Sequence, residues 1–213
     1  MAADSLANYR NEYKKDMLDS SSIHPDPIVQ FGRWMEDAIS QGIEEPTAMT
    51  LASVGAGGKP SARMVLLKGF DETGFVFFTN YNSRKGTEIS DNPYVALVFY
   101  WKEMERQVRI EGKAEKAGDK ESDEYFASRP VESRASAIVS PQSQVIPDRN
   151  DLELQMRELL LNHEKDLVRP LHWGGFRVIP EMIEFWQGRP GRLHDRIRYL
   201  KKEHHWIIER LAP

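Results

Sequence analysis

The strongest constraint on the fold is a series of short segments with strand-like alternation, bounded by glycine, proline, asparagine and aspartate. Many short strands with turn signals between them are typical of a small antiparallel barrel. The predicted strands cover residues 48–54, 61–68, 74–79, 94–101, 107–116, 175–179, 183–187, 193–200 and 206–211.

Helical patterns are inserted between groups of these strands. Asp26 followed by Pro27 is typical of a helix start, and Gly42 of a helix end. Further helices are predicted over 84–90, 119–128 and 152–164, with a polar helix over 6–18. The expected fold class is α+β, an antiparallel β-barrel core with peripheral helices. Residues 1–24 are expected to be a flexible N-terminal arm and residues 25–213 a single domain.

Composition limits the possible functions. The chain has 213 residues, 40% of them hydrophobic and 29% charged, which is ordinary for a globular protein. No apolar run is long enough to cross a bilayer and no secretory signal is visible, so we expect a cytoplasmic protein. The absence of cysteine excludes disulfides and thiolate chemistry. A net charge of −4 does not favour nucleic acid, so any bound anion is expected to be held locally.

Residues 184–196 contain the most informative functional pattern. A predicted strand breaks at a turn rich in glycine and proline, and Arg192, His194 and Arg196 then follow at intervals of two. In an extended strand these side chains would project from one face. Two cations and an imidazole repel one another unless an anionic or electron-rich group lies opposite. This face is a candidate ligand site, and the alternative is three solvated side chains on an edge strand.

Two further pairs of basic residues are candidate anion sites. Arg63 and Lys68 close the two ends of an apolar strand and, being five residues apart, point to opposite faces. They could serve two anions, or one ligand and a salt bridge, or they could lie in solvent. Arg84 and Lys85 open a predicted helix, where cations are unfavourable unless an anion occupies the N-terminus.

A third group combines two hydroxyls with a guanidinium. Tyr125 and Arg129 are one helical turn apart, and Ser133 follows the proline at position 130. These three side chains could converge on one phosphate. The alternative is an arginine that satisfies carbonyls at the C-terminus of its helix.

The motifs occur in a definite order along the chain. They are Arg63-Met-Val-Leu-Leu-Lys68, Phe78-Thr79, Ser83-Arg-Lys85, Arg106-Gln-Val108, Tyr125-Phe-Ala-Ser-Arg-Pro130, Gln142-Ser143, Trp173-Gly-Gly175, Phe185-Trp-Gln-Gly188, Arg192-Leu-His-Asp-Arg196 and Glu209-Arg-Leu-Ala-Pro213. In this order they resemble the pyridoxine (pyridoxamine) 5′-phosphate oxidase family. Any one motif is weak evidence, whereas the whole series is specific.

The resemblance implies an FMN-binding split barrel that works as a homodimer, with FMN at the subunit interface and no metal. It implies that Arg63, Arg84 and Lys85 hold the FMN phosphate. The other implied FMN contacts, some donated by the partner chain, are Met64, Val65, Leu66, Leu67, Lys68, Phe78, Thr79, Gln107, Gln142, Ser143, Trp186 and Arg196.

The resemblance also implies a reaction. Pyridoxine or pyridoxamine 5′-phosphate would be oxidised to pyridoxal 5′-phosphate by hydride transfer to flavin N5, with O2 reduced to hydrogen peroxide. Arg192 and His194 would cover the pyridine ring, and no nucleic acid or membrane would be bound. The implied substrate contacts are Lys68, Tyr125, Arg129, Ser133, Arg192, Leu193 and His194, with Arg10 and Tyr13 matching a mobile N-terminal lid.

Two alternatives and a few departures from the family pattern remain. One alternative is a related split-barrel oxidase acting on another ring, such as those of phenazine synthesis, and the other is a non-catalytic FMN- or pyridoxal-phosphate-binding protein. The predicted phosphate clamp argues against the first alternative, and the intact Arg192-Leu-His194 against the second. The chain departs from the family pattern at Asn11, Arg134-Ala-Ser136 and Gln144. Affinity or substrate choice could therefore differ.

Overall fold

The computed structural model of the protein describes residue 8 and residues 12–19, 21–163 and 167–213. Its helices are α1 (Pro27–Ser40), α2 (Arg84–Asp91), α3 (Asp119–Ser128), α4 (Val131–Val139) and α5 (Arg149–His163). Its strands are β1 (Ala48–Val54), β2 (Pro60–Leu66), β3 (Gly69–Asp71), β4 (Gly74–Asn80), β5 (Tyr94–Trp101), β6 (Arg106–Lys116), β7 (Trp173–Gln187), β8 (Asp195–Lys202) and β9 (His205–Arg210). None of the helices in these ranges has both the length and the apolar character to span a membrane.

All nine strands belong to one sheet. Its order is β2-β1-β5-β6-β7-β4-β3, and β8 pairs with both β7 and β9. The pairs β3–β4, β4–β7, β7–β8 and β8–β9 are antiparallel. Helices α2 to α5 are inserted between strands along the chain. The predicted α+β class is therefore confirmed.

The chain divides into two compact units. The first unit comprises the described part of Met1–Met49 together with Leu97–Glu111 and Glu181–Pro213. The second unit comprises Thr50–Ala96 and Gly112–Pro180. Strands β5, β6 and β7 contribute residues to both units, so neither unit is a continuous stretch of chain.

Helix α1 belongs to the first unit and forms as its sequence predicts. The Asp26 side chain accepts a hydrogen bond of 2.7 Å from the backbone N–H of Ile28, which satisfies one of the free donors at the helix start. The ring of Phe31 packs 5.1 Å from that of Phe99, and Trp34 packs 5.1 Å from Phe185. Burial of these aromatic side chains gives the first unit its core.

The predicted polar helix over 6–18 is wrong for the residues that the structure describes, because 12–19 contain no helix. The backbone N–H groups of Lys14 and Lys15 instead donate to Glu105 Oε2 at 2.8 and 3.0 Å. The N–H of Leu18 donates to Asp195 Oδ2 at 3.1 Å. Tertiary acceptors replace the carbonyls that a helix would have supplied, and such bonds override a weak helix propensity.

Strand β7 is continuous although two separate strands are predicted on either side of Pro180. Residues from Trp173 to Val178 pair with β4, and residues from Met182 to Gln187 pair with β8. Pro180 lies where the strand changes partner, so its missing N–H interrupts neither ladder. Proline is a turn signal in the sequence, but at this position in the register it does not end the strand.

Helix α4 is missing from the sequence prediction. Pro130 ends α3 in the sequence prediction, and in the structure it is also the residue before the first turn of α4. Proline is tolerated at a helix start because its absent N–H would have no intrahelical partner there. Ser133 therefore lies on a helix.

Candidate functional site

A cavity of about 500 Å³ lies in the second unit, a volume typical of small-molecule sites. Strand β2, strand β4, helix α3 and the start of α4 supply most of its wall. It is lined by Met64, Val65, Leu66, Lys68, Phe78, Thr79, Lys85, Tyr125, Arg129, Pro130, Ser133, Gln142 and Trp173.

Arg129 is the clearest indication of an anion-binding site. Its Nη1 atom is buried and has no hydrogen-bond partner among the described residues. Burial lowers the pKa of the guanidinium, against an opposing effect of Tyr125. A buried donor without an acceptor is costly, and a bound phosphate or carboxylate would satisfy it. The site is thus prepared for an acidic ligand.

Lys85 provides a second cation in the cavity wall. Its Nζ donates to Gln142 Oε1 at 2.8 Å and to Thr79 Oγ1 at 3.1 Å. Burial, followed by the nearby charge of Arg63, lowers the pKa of the Lys85 ammonium. Among the described residues no carboxylate forms a salt bridge with Lys68, Lys85 or Arg129, which we call the cavity cations. Three cations without counter-ions in one cavity favour an anionic ligand.

Three aromatic rings line the cavity beside these cations. The Phe78 and Tyr125 rings are stacked, with centroids 3.9 Å apart, and the Trp173 ring lies nearly parallel to both. The interplanar angle of Tyr125 and Trp173 is 5°. Flat parallel rings next to cations suit a planar, charged ligand.

Arg63 and Arg84 lie outside the cavity lining and are paired within the chain. Both donate to Glu88, Arg63 through Nη2 at 3.1 Å and Arg84 through Nε at 2.8 Å. Ser53 and Ser61 donate to the same carboxylate at 2.6 and 2.5 Å. We call Glu88 with these two arginines and two serines the Glu88 cluster.

The Glu88 carboxylate is ionised at any physiological pH. Its residue is 8% exposed. Burial by itself raises the pKa of Glu88, but hydrogen bonds from Ser53, Ser61, Arg84 and Arg63 outweigh it and lower the pKa to about 2. The residue supplies a fixed negative charge to two arginines that the family resemblance assigns to a phosphate.

The first unit contains the predicted ligand site of Arg192, His194 and Arg196. Arg196 donates to Glu184 at 2.8 and 3.1 Å, and this pairing raises the pKa of Arg196. The His194 ring lies 4.7 Å from Trp186 and 5.5 Å from Tyr13. A side chain at Gly188 would collide with the Tyr13 ring, since an added Cβ would lie 2.8 Å from it.

His194 is held as a neutral ring. Its Nδ1 accepts a hydrogen bond of 3.2 Å from the backbone N–H of Arg189, so the proton lies on Nε2. Burial, followed by the charge of Arg192, lowers the pKa of His194 from 6.5. This imidazole can donate a hydrogen bond to a ligand without carrying a charge.

The predicted extended arrangement of Arg192, His194 and Arg196 is wrong. Strand β8 begins at Asp195, after a 3₁₀ turn over Pro190–Arg192. Gly191 and Arg192 have φ of 64° and 63°, which breaks the alternation that places side chains two apart on one face. Only Arg196 of the three lies in the strand.

The remaining predicted residues are placed as follows. Leu67 is buried in the core rather than lining the cavity. Gln107 is half-buried in β6, Ser143 is exposed with φ of 71°, and Leu193 is 73% exposed. Arg10 and Asn11 lie outside the described residues.

The departures from the family pattern at 134–136 and 144 lie beside the cavity. Arg134 is in α4 and donates to the carbonyl of Leu167 at 3.3 Å. Ala135 is buried, and Gln144 is exposed. None of these three residues lines the cavity, whereas their neighbours Ser133 and Gln142 do.

Sequence reasoning missed Trp173, Pro130 and Glu88 as site residues. Glu88 could have been found from its i, i+4 spacing to Arg84 on a predicted helix. Pro130 is inside a recognised motif. Nothing in the sequence indicates that Trp173 reaches Arg129, because the two residues are brought together only by the pairing of β7 with β4 and the docking of α3.

The fold and the cavity define a class of protein: an α+β protein with a small-molecule cavity that holds uncompensated cations beside aromatic rings. A family model for pyridoxamine 5′-phosphate oxidase matches residues 35–163. A second model, the pyridoxine 5′-phosphate oxidase C-terminal dimerisation region, matches residues 173–213. The chain belongs to the pyridoxamine 5′-phosphate oxidase family.

Curated relatives match this chain over nearly its full length. A pyridoxine/pyridoxamine 5′-phosphate oxidase of Burkholderia multivorans is 54% identical over 98% of this chain and 99% of its own. A protein of the same name from Nostoc sp. is also 54% identical, over 98% of both chains. Both similarities extend through the cavity residues and the segment of Arg192 and His194.

Solved structures confirm the split-barrel fold. PhzG from Burkholderia lata, in complex with tetrahydrophenazine-1-carboxylic acid, has a TM-score of 0.89 and 31% identity, covering 93% of this chain and 99% of that one. A pyridoxamine 5′-phosphate oxidase-related, FMN-binding protein from Nostoc punctiforme has a TM-score of 0.68 and 17% identity, covering 85% and 96%. The second likeness shows the fold alone.

Proposed function

We propose that the protein is an FMN-dependent oxidase that converts pyridoxine 5′-phosphate or pyridoxamine 5′-phosphate to pyridoxal 5′-phosphate, with O2 reduced to hydrogen peroxide. The observation that supports this most is the buried Nη1 of Arg129, which has no hydrogen-bond partner among the described residues, in a cavity with two further cations. A phosphorylated substrate supplies the missing acceptor. The names of the curated relatives supply the substrate class.

The residues present fit FMN. The apolar edge of β2, from Met64 to Leu66, is a surface for a flat ring, and Thr79 with Gln142 offers polar contacts beside it. Lys85 is a half-buried cation with no carboxylate partner among the described residues, which suits a phosphate site. The residues that would hold FMN are those of the resemblance: Arg63 to Lys68, Phe78, Thr79, Arg84, Lys85, Gln107, Gln142, Ser143, Trp186 and Arg196. When bound, FMN supplies the acceptor for the hydride.

The substrate would be held by its two ends. Lys68, Tyr125, Arg129 and Ser133, all in the cavity wall, would bind the phosphate. Arg192 and His194 would orient the pyridine ring, with the neutral His194 donating from Nε2. Fixing both ends restricts the substrate to one orientation, which lowers the entropic part of the barrier. The chain's own side chains bind and orient, and none is required as a nucleophile.

We further propose a homodimer with FMN at the subunit interface, in a cytoplasmic protein. The match to a family C-terminal dimerisation region supports the dimer. Residues 25–213 would form one functional domain, with 1–24 as a lid over the site. The contacts of Tyr13 with Trp186 and His194 support a lid role for the arm.

A second candidate function is oxidation of an unphosphorylated ring of the phenazine type. The likeness to PhzG, at a TM-score of 0.89, favours it. An arginine such as Arg129 can bind a carboxylate as well as a phosphate. The curated relatives at 54% identity favour the vitamin B6 substrate over this one.

The test is an aerobic assay of purified protein with added FMN, following aldehyde and peroxide together. We expect pyridoxine 5′-phosphate to give both products in equal amounts, and pyridoxine without its phosphate to react far more slowly. The matched control is pyridoxamine 5′-phosphate, which should give the same aldehyde. Turnover of a dihydrophenazine carboxylate but of neither B6 phosphate would overturn the proposal in favour of the second candidate. A yellow protein with no turnover of any of these would indicate a binding role.

A further inference from the structure

We propose that Trp173 positions Arg129 for the substrate phosphate, by presenting its indole face to the guanidinium. The inference rests on the proposed function and adds a residue to which the family resemblance gave no role. Trp173 is 6% exposed and lines the cavity.

The geometry is that of a cation–π contact. The guanidinium carbon of Arg129 lies 4.7 Å from the centroid of the Trp173 ring and 5.9 Å from that of Phe126. Phe126 in turn packs edge-on to Trp173, at 5.1 Å between centroids. Within about 6 Å of an indole face, an arginine is attracted by the negative centre of the ring, most strongly where water is excluded. The guanidinium of Arg129 is therefore held against the indole ring of Trp173.

The contact leaves the arginine free to bind. The π contact attracts the cation without supplying an oxygen or nitrogen acceptor to its N–H donors. Because Nη1 is buried and unpartnered among the described residues, it is an N–H available to an acceptor. An acidic partner in place of Trp173 would have held the arginine too, but would have neutralised it. The aromatic face fixes the position and keeps the charge.

Arg169 fixes Trp173 relative to the helix that leads to Arg129. It donates to the carbonyl of Trp173 at 2.9 Å, and to Asp119 and Asp123 of α3 at 2.8 and 2.6 Å. Its side chain is 8% exposed. The start of β7 is thereby tied to α3, at whose C-terminal end Arg129 lies. These bonds fix the backbone that carries Trp173 relative to the helix that precedes Arg129.

A purely structural role makes a different prediction. If Trp173 only fills space beside Phe78 and Tyr125, its loss would weaken FMN and substrate binding together, whatever residue occupies position 129. If it acts through Arg129, its loss would weaken only phosphate recognition, and only while Arg129 is present. A double-mutant cycle separates these cases.

The experiment measures the dissociation constant of pyridoxal 5′-phosphate for the FMN-loaded enzyme, in wild type, Trp173→Leu, Arg129→Ala and the double variant. We expect Trp173→Leu to raise the constant about tenfold in the wild-type background, and by less than about twofold in the Arg129→Ala background. Trp173→Phe keeps a π face and should stay within about threefold of wild type. In steady state KM for pyridoxine 5′-phosphate should rise while kcat changes little.

Controls make either outcome informative. Phe176→Leu, at a buried ring that contacts Phe77 and Tyr81, should leave the pyridoxal 5′-phosphate constant unchanged. Trp173→Met, large and apolar without a π face, repeats the test if Trp173→Leu does not fold. An equal effect of Trp173→Leu in both backgrounds, or no effect in either, would overturn the inference and leave the proposed function intact. A wild-type enzyme that takes up FMN but binds no pyridoxal 5′-phosphate would overturn both.

Discussion

The second unit contains two groups of basic residues with opposite electrostatic settings. In the Glu88 cluster, Arg63 and Arg84 share a buried carboxylate and two serine hydroxyls. The cavity cations Lys68, Lys85 and Arg129 form no salt bridge with a described carboxylate. Both groups look alike in the sequence, as basic residues at element ends. The first group has two cations that share one carboxylate, whereas the second group has three cations and no carboxylate among the described residues.

This difference between the two groups explains how an acidic protein can bind phosphates. A counter-ion inside the chain stabilises the folded state but weakens the attraction for an external anion. Cations without counter-ions are costly to bury, and a ligand removes that cost when it binds. We therefore expect the cavity cations to govern ligand affinity and the Glu88 cluster to govern stability.

The largest effect is expected at Arg129. Arg129→Ala removes a half-buried guanidinium whose buried Nη1 has no hydrogen-bond partner in the described chain, so KM for pyridoxine 5′-phosphate should rise about 100-fold. Thermal stability should not fall, because the substitution removes a buried unsatisfied donor. Steady-state kinetics and a melting curve check both parts. A fall in stability with unchanged KM would mean that Arg129 belongs with the structural group.

Glu88 should show the reverse pattern. Glu88→Ala removes the carboxylate to which Ser53, Ser61 and Arg63 donate and should destabilise the FMN-free protein by about 2 kcal/mol. Denaturant unfolding of the FMN-free protein measures this. Glu88→Gln, which keeps an acceptor oxygen but no charge, is the matched control and should lose less.

Because of the same carboxylate, the stability of the fold should decrease as the pH falls. The pKa of Glu88 is lowered from 4.5 in the unfolded chain to about 2 in the fold, so the folded state binds fewer protons in that interval. Its contribution to stability is complete above pH 4.5 and is lost as the pH falls toward 2. Unfolding free energies between pH 5 and 3 should decline less steeply for Glu88→Gln than for wild type. Parallel declines would show that another group is responsible.

Lys85 should affect FMN rather than substrate. Lys85→Ala removes a half-buried cation whose hydrogen-bond partners in the described part of the chain are the neutral Gln142, Thr79 and Ser83, and FMN affinity should fall about tenfold. Quenching of flavin fluorescence on titration with the FMN-free protein gives the dissociation constant. Lys85→Gln, similar in length and uncharged, should resemble the alanine variant if charge is the cause.

The smallest effect is expected at Arg84. Its side chain is 63% exposed and already paired with Glu88, so Arg84→Ala should have little effect. FMN affinity should change by less than about fivefold, and the free energy of unfolding by less than about 1 kcal/mol. The same titration and unfolding curves apply. A larger loss of FMN than in Lys85→Ala would place Arg84 with the cavity cations, as the family resemblance suggests.

The site could be predicted only in part from the sequence. The residues at 63–68, 78–79, 125–133 and 142 are local motifs, and most of them line one cavity. Strand alternation failed at Arg192 and His194, because Gly191 and Arg192 both have positive φ and interrupt the extended backbone there. Local pattern rules assume regular backbone, and functional loops depart from it.

The sequence by itself determined the α+β class, the start and end of α1, and the basic and hydroxyl side chains that could meet an anion, because these depend on neighbours a few residues apart. Only the tertiary structure decided which cations share a carboxylate. Glu88 meets Ser53, Ser61 and Arg63 across 25 to 35 positions of chain, and Trp173 meets Arg129 through the docking of β7 against α3. Charge compensation depends on distances of a few ångströms between residues far apart in sequence, and those distances exist only after folding.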